Sequence, residues 1–398
     1  SRTPIVMAHG FLASGDTWGK HVQRFVANGY CPSRFHAFDW NSLDRTADHV
    51  QELERLIDDV LLQNNADAVD LWGHSAGGGL GYRFLEQPER AAKVRKYVHI
   101  GSYPEASPAG PIDGESIPTL NLWSPADLIV EGADIPGATN VSLPNTDHYA
   151  VATSEGSFQA IYEFLEDRSP KTLRPRSKDR VQVEGRLLTF GENQPVVDGE
   201  VTVWALNPET GDRIEESELF AVGDDGSWGP MEVSSKEQFE FVASTANQED
   251  APVRYFLEPF KADQKLTYLR TFPGPGSIAG LLLNLIPRER EKVSLVIFNA
   301  SRAFLAGTDS LTLDGQELLT EASASAENTS IALFVFDIDR DDEPGGTSAI
   351  FDMFPFLAAI DLPITASEGE FMTLDFNGRR LILPRSPGDE GILIAVYQ

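Results

Sequence analysis

Two textures of apolar and polar positions divide the chain. From Ser1 to about Asp167, short apolar β-branched runs alternate with stretches of helical period, the signature of repeated strand–helix–strand units and a mostly parallel sheet. Pro4 to Ala8, Arg34 to Phe38, Ala68 to Gly73, Lys96 to Ile100 and Pro118 to Trp123 are predicted as strands. Thr46 to Gln63 carries Val50, Leu53, Leu56, Ile57, Val60 and Leu61 at helical spacing, with Asp48 and Glu52 near its start. Ser154 to Glu166 is predicted as the last helix of this part.

Arg168 to Arg180 holds two prolines and many basic residues with no hydrophobic period, which marks a linker. Past it, Val181 to Phe190, Gly199 to Ala205, Phe239 to Ser244, Val293 to Phe298, Ile331 to Phe336 and Ile392 to Tyr397 are short apolar or alternating runs. Turn residues such as Asn207-Pro208 and Asp224-Asp225-Gly226 separate them. The expected organisation is an α/β domain over 1–168, a basic linker over 169–180 and a sandwich-like β domain over 181–272. Residues 273–398 are expected to form a second β domain or a continuation of the first, with an apolar segment at 276–287.

Composition narrows the function classes. An apolar fraction of 41% and a charged fraction of 23% are ordinary for a globular protein. No segment reaches the ~18 to 20 consecutive apolar residues that span a bilayer. Sixty-one acidic against 32 basic residues give a net charge of -29, which repels phosphate backbones and excludes nucleic acid as an expected partner. The single cysteine, Cys31, allows no internal disulfide. The chain opens almost directly on a strand, as though preceding residues had been removed, so secretion is expected.

The chemistry concentrates in Gly73-His74-Ser75-Ala76-Gly77. A buried-strand run, Ala68 to Trp72, precedes this Gly-x-Ser-x-Gly, and a helix-compatible stretch with Leu80, Tyr82, Phe84 and Leu85 follows it. Strand, sharp turn and helix together would hold Ser75 in a strained backbone conformation that small neighbours permit, with its hydroxyl lifted above the sheet. A serine hydroxyl is a poor nucleophile at neutral pH, so it needs a base, and the base needs an orienting acid. Of seven histidines, His148 follows the later strands and precedes the final helix, as the order serine, acid, histidine requires. His9 adjoins the loop after the first strand, His74 lies inside the elbow, His99 sits in a strand, and His21, His36 and His49 are upstream. Asp127 is the candidate acid because it directly follows the strand Thr119 to Trp123; Asp113, Asp134 and Asp147 are read as solvated loop charges.

Ile5 to Ala8 run into His9-Gly10-Phe11, where a glycine lets the backbone approach a substrate. The amide N–H groups of Phe11 and Ala76 are the expected oxyanion donors. Leu12, Trp18, Ile129, Val130 and Tyr149, with Phe11 and Leu128, are expected to line an acyl pocket. The loop Gly101 to Pro118 is too short for a large helical cap, which predicts an open or lightly covered site.

At Ile5 to Phe11, Gly73 to Gly77, Asp127 and His148 the chain resembles bacterial and archaeal lipases of the α/β-hydrolase superfamily, over about its first 170 residues. It is most similar to compact members that begin at the central strand. The resemblance implies an α/β-hydrolase fold and ester hydrolysis through an acyl-enzyme on Ser75, with His148 and Asp127 completing the triad. It implies no metal and no organic cofactor in the chemistry. Gly185, Pro195 to Val203 and Asp225 to Trp228 are similar to carboxypeptidase-regulatory-like or transthyretin-like β domains. Some archaeal lipases share this layout, with a β-barrel tail that helps to bind long acyl chains. Gly276 to Pro287 is therefore either an apolar segment that completes a lipid groove or touches a lipid–water interface, or buried core between two β units. Asp337, Asp339 and Asp341 alternate as in a calcium loop, but Asp342 stands where such a loop wants glycine and no glutamate closes it, which favours a solvated turn.

The expected activity is that of a lipase or carboxylesterase acting on an acyl ester or lipid. A polyester depolymerase, thioesterase or amidase would use the same triad, because fold and triad do not fix substrate. A non-catalytic hydrolase-fold binding protein would usually have lost a triad member, and none is missing here.

Overall fold

The computed structural model describes residues 2–247, 250–274, 276–277, 279–280, 286–327, 329–346, 348, 351, 354 and 356–398. Half of the apolar segment expected at 276–287, residues 278 and 281–285, lies outside the described residues. Two compact units emerge: Ser1–Arg176 with Gly191–Asn193, and Ser177–Phe190 with Gln194–Gln398.

In the first unit the chain runs β1 (Ile5–Ala8), α1 (Gly19–Ala27), β2 (Phe35–Phe38), α2 (His49–Asn64), β3 (Val69–His74), α3 (Ala76–Leu85), α4 (Pro88–Ala91), β4 (Val94–Ile100), β5 (Thr119–Trp123), β6 (Thr139–Ser142), α5 (Ala150–Thr153) and α6 (Glu155–Glu166). The six strands form one sheet in the order β2-β1-β3-β4-β5-β6, parallel at every pairing. Every residue of β1 and β3 is buried, as expected of strands covered on both faces.

Local chemistry sets the helix ends. The Asp48 side chain accepts from Gln51 N at 3.0 Å and caps α2, whose buried stripe is Leu53, Ile57 and Val60. Ser154 caps α6 in the same way through Ser157 N at 3.2 Å. Helix α1 has no counterpart among the predicted elements, because its buried face mixes His21 and Arg24 with Val22 and Phe25 and so breaks the apolar period. The buried Arg24 guanidinium donates to Thr153 O at 2.6 Å and Ser154 O at 3.2 Å, tying α1 to the last carbonyls of α5. Edge strand β6 also escapes the pattern, since none of its four residues is buried.

The second unit is mainly β. Its largest sheet has eight strands in the order Leu357–Asp361, Ala332–Phe336, Leu295–Asn299, Ile392–Tyr397, Val253–Leu257, Gln238–Ser244, Glu200–Leu206, Arg213–Ala221. A three-stranded sheet (Ser227–Ser234, Arg180–Thr189, Gln264–Thr271) and a four-stranded sheet (Gln316–Glu317, Leu311–Leu313, Phe371–Phe376, Arg379–Pro384) accompany it. One core gathers Val183, Trp228, Phe241 and Phe260; another gathers Leu295, Phe304, Leu374 and Tyr397. The eight-stranded sheet draws strands from both sides of residue 273.

Candidate active site

Ser75 joins β3 to α3 with φ 52° and ψ -120°, a conformation that costs a non-glycine residue on the order of 1–3 kcal/mol and persists because its surroundings over-determine it. The flanking glycines are steric necessities. A Cβ at Gly73 would lie 2.3 Å from Gly77 O, and one at Gly77 would lie 2.5 Å from Ala8 O. Ser75 N donates to Ile100 O at 2.9 Å, and its own carbonyl accepts from Gly78 N at 2.8 Å and from Ser102 Oγ at 2.9 Å. The turn is thus clamped on both sides of the hydroxyl, at the amino end of a helix, where developing negative charge is favoured.

His148 and Asp127 meet at the carboxyl edge of the sheet. His148 Nδ1 stands 2.7 Å from Asp127 Oδ2, and the Asp127 side chain is only 1% exposed. The other carboxylate oxygen of Asp127, Oδ1, accepts from Ile129 N at 2.9 Å and Val130 N at 3.0 Å. Two backbone donors therefore fix the direction of this carboxylate. Asp147 accepts from Tyr149 N and Ala150 N at 3.0 and 2.9 Å, which shapes the loop around His148. Asp134 accepts from Trp123 Nε1 at 3.0 Å. Among the described residues, no hydrogen bond within 3.5 Å joins Ser75 Oγ to His148; such bonds commonly tighten only with substrate in place.

His74, adjacent to Ser75, is fully buried and its ring centroid lies 4.8 Å from that of His148. Burial, then the neighbouring His148 imidazole, pushes the His74 pKa far below the usual histidine value, so the ring is neutral. Its Nε2 lies 3.0 Å from His148 O, a carbonyl that only accepts, so the single proton sits on Nε2. His74 thereby tethers the backbone of the residue whose side chain faces Asp127. Nothing in the Gly-x-Ser-x-Gly pattern signals this role, since its second position admits many residues.

The loop after β1 closes the arrangement. A Cβ on Gly10 would lie 3.1 Å from both His74 Nδ1 and Ser75 Cβ, so Phe11 follows a backbone that touches the elbow. Leu12 adopts φ 57° and its N–H donates to Ser42 Oγ at 2.8 Å. Asn193 Nδ2, in a segment that belongs with the first unit, donates to Ala13 O at 2.8 Å and Trp40 O at 3.1 Å and lies 3.2 Å from His9 Nε2. The Gly10 carbonyl, 2.7 Å from His9 Nδ1, only accepts, so the His9 proton lies on Nδ1 and the bare Nε2 faces the Asn193 amide. Asn193 lies far along the chain from these partners, and no motif marks it.

The residues expected to line an acyl pocket part company. Phe11 is 40% exposed and Leu128 56% exposed, whereas Val130 and Tyr149 are buried and Leu12 and Ile129 intermediate. Trp18 is a correction: it is fully buried, edge-on to Trp72 with centroids 5.8 Å apart, in an aromatic core shared with Phe25, Phe158 and Tyr162. Its apolar bulk serves packing. The upstream histidines have structural partners too: His21 meets Arg24 Nη1 at 3.2 Å, His36 meets Asn64 Nδ2 at 3.2 Å, and His49 pairs with Glu52 at 2.7 Å.

A parallel sheet flanked by helices, carrying a serine on a strained strand-to-helix elbow beside a histidine–aspartate pair, defines the class of α/β hydrolases. The family model for lecithin:cholesterol acyltransferase matches residues 7–110, a lipase C-terminal domain model matches 179–272, and a further C-terminal domain model matches 283–380. Among solved structures, the chain is similar to a marine microorganism esterase, at 15% identity over 42% of this chain and 96% of that one, with a TM-score of 0.32. It is also similar to Bacillus licheniformis lipase BlEst2 (16% identity, 41% and 92% covered, TM-score 0.34). Carboxylesterase CesB from Bacillus subtilis is a further likeness (12%, 42% and 85%, TM-score 0.31). Part of the first unit is thus similar to the lecithin:cholesterol acyltransferase family, and 179–272 to a lipase C-terminal domain. No helix among the described residues is long and apolar enough to cross a membrane.

Proposed function

We propose that the chain hydrolyses carboxylic esters of the lipase type, with Ser75 as nucleophile, His148 as general base and acid, and Asp127 as the group that orients the imidazole. The observation that carries this reading is the 2.7 Å contact between His148 Nδ1 and the buried, doubly hydrogen-bonded Asp127 carboxylate, at the strained elbow that presents Ser75. With Nδ1 held by Asp127, Nε2 is the nitrogen left to take the Ser75 proton. The Ser75 oxygen then bonds to the ester carbonyl carbon, and the oxyanion is received by the N–H groups of Phe11 and Ala76. The imidazolium returns the proton to the departing alcohol, leaving an acyl-enzyme. Water repeats the sequence on the acyl group and frees the acid.

Leu12, Ile129, Val130 and Tyr149 are the residues we assign to the acyl side of the site, with exposed Phe11 and Leu128 at its mouth. Residues 1–168 would then be the catalytic domain, 169–180 a linker, and 181–272 and 273–398 the β regions; the C-terminal domain models over 179–272 and 283–380 support that division.

The test is hydrolysis of p-nitrophenyl acyl esters of graded chain length by the full chain, together with covalent labelling by a fluorophosphonate. Turnover and labelling at Ser75 are expected, and Ser75→Ala removes both while circular dichroism stays unchanged. Undiminished turnover by Ser75→Ala, or labelling at another side chain, would overturn the assignment.

A further inference from the structure

The acidic turn that begins at Asp337 is built differently from a solvated loop. Ala332–Phe336 and Leu357–Asp361 are parallel neighbours, with Phe336 opposite Asp361, so their carboxyl ends deliver Asp337 and Asp361 side by side. Asp361 is buried and saturated: Oδ1 accepts from Ile338 N at 2.6 Å, and Oδ2 from Gly345 N at 2.9 Å and Gly346 N at 2.5 Å. Asp342 adopts φ 65°, the left-handed conformation for which such a loop ordinarily uses glycine, so its side chain is no obstacle to that backbone path.

The observation that points to a ligand is at Asp337. This residue is 4% exposed; its Oδ2 accepts from Asp342 N at 3.2 Å and lies 3.5 Å from Lys292 Nζ, whereas its Oδ1 is buried with no hydrogen-bond partner. A buried carboxylate oxygen without a donor or cation is costly, and native structures rarely leave one so. Asp337, Asp339 and Asp341 each place one carboxylate oxygen within 4.8 Å of the others, a spacing that a single ion with oxygen ligands ~2.3–2.6 Å away can bridge. Lys292, which also pairs with Asp342, brings one positive charge to a cluster of five carboxylates that includes Asp361.

We propose that Asp337, Asp339 and Asp341 bind a hard divalent cation, of which calcium fits best, with Asp361 holding the backbone of 338 and 345–346 around it. Oxygen-only ligands select this class of ion over softer metals, and two exposed carboxylates beside one buried one leave positions for water, as calcium with its six to eight ligands tolerates. The cluster belongs to the second unit, whereas the ester chemistry is proposed for residues of the first.

Isothermal titration of the full chain with calcium chloride tests it, with no ester present. Saturable binding at one site is expected, with a dissociation constant on the order of 10⁻⁴ M as in extracellular calcium modules. A rise in the unfolding midpoint of about 2 °C or more, reversed by EDTA, should accompany it. Asp339→Asn with Asp341→Asn alters only exposed side chains and should lose both signals, whereas Asp67→Asn with Asp113→Asn makes the same charge change elsewhere and should keep them. If the double variant fails to fold, Asp341→Asn alone carries the comparison and should weaken binding at least tenfold. Absence of saturable calcium binding in the full chain, or equal binding in the Asp339/Asp341 variants, overturns the proposal. Magnesium titrated alone should bind more weakly, and tighter magnesium binding would overturn the choice of calcium.

Discussion

The imidazole of His74 donates through Nε2 to the backbone carbonyl of His148 across 3.0 Å, so the residue beside Ser75 anchors the loop that carries His148. Replacing His74 with alanine leaves that carbonyl without its donor and opens space beneath the His148 ring, a loss of about 1–3 kcal/mol by the usual cost of an orphaned buried group. Turnover of a short ester is expected to fall more than its KM rises, because the base is displaced while substrate contacts remain. His74→Gln keeps an N–H donor and should recover part of kcat. Equal kcat in all three proteins would show that the tether has no bearing on the chemistry.

Asp127→Asn keeps the two acceptor bonds to Ile129 N and Val130 N through its side-chain oxygen but presents an amide to His148. The wrong tautomer of His148 is then favoured, and kcat on p-nitrophenyl butyrate should fall by about 10⁴ with little change in fold. A drop of less than tenfold would assign the orienting role elsewhere.

Two glycines of α3 only two positions apart, Gly77 and Gly79, should respond in opposite ways to one added methyl group. Gly77→Ala would set a Cβ 2.5 Å from Ala8 O and 2.6 Å from His9 O, backbone atoms of the sheet's centre, and should cost at least about 3 kcal/mol. At Gly79 an added Cβ meets no heavy atom within 4 Å, so Gly79→Ala should stabilise by about 0.5–1 kcal/mol through helix propensity. Urea unfolding of the two variants decides the matter; a stable Gly77→Ala would mean that the elbow packs less tightly than described.

Burial holds the His99 imidazole down at about 4 and pushes His21 and His74 well below the ordinary 6.5. Between pH 6.5 and 4 the unfolded chain therefore binds protons that the folded chain refuses. The stability contributed by keeping these rings neutral is complete above pH 6.5 and is lost as pH falls through that window, by about 3 kcal/mol for His99 alone. Urea midpoints at pH 7.5, 6 and 5 should decline in that order, and His99→Asn should flatten the slope. An unchanged slope in that variant would contradict the assignment.

Much of the first unit is legible because its signals are local. The buried runs of β1 and β3, the stripe of α2 and the glycines around Ser75 each announce themselves within a few residues. The chain order of serine, acid and histidine directs attention to Asp127 and His148, which the structure brings to 2.7 Å. What is not legible depends on distant partners. Helix α1 buries His21 and Arg24 because Thr153 and Ser154 supply carbonyls more than a hundred residues away. Trp18 packs against Trp72, which nothing in its own neighbourhood indicates. Asn193 meets His9, Ala13 and Trp40, none within 150 residues. The unpaired oxygen of Asp337 becomes visible only once Asp342 and Lys292 have taken its other side.

The eight-stranded sheet has Ile392–Tyr397, the last of its strands in sequence, in an interior place, paired in parallel with Val253–Leu257 on one side and Leu295–Asn299 on the other. Until that strand emerges from the ribosome, its two neighbours each present an open row of amide and carbonyl groups, the kind of template on which chains stick to one another. Synthesis of this protein thus carries a waiting period that ends only once residues 392–397 have been made. Premature termination upstream of residue 392 would leave a sheet in two halves with nothing to join them.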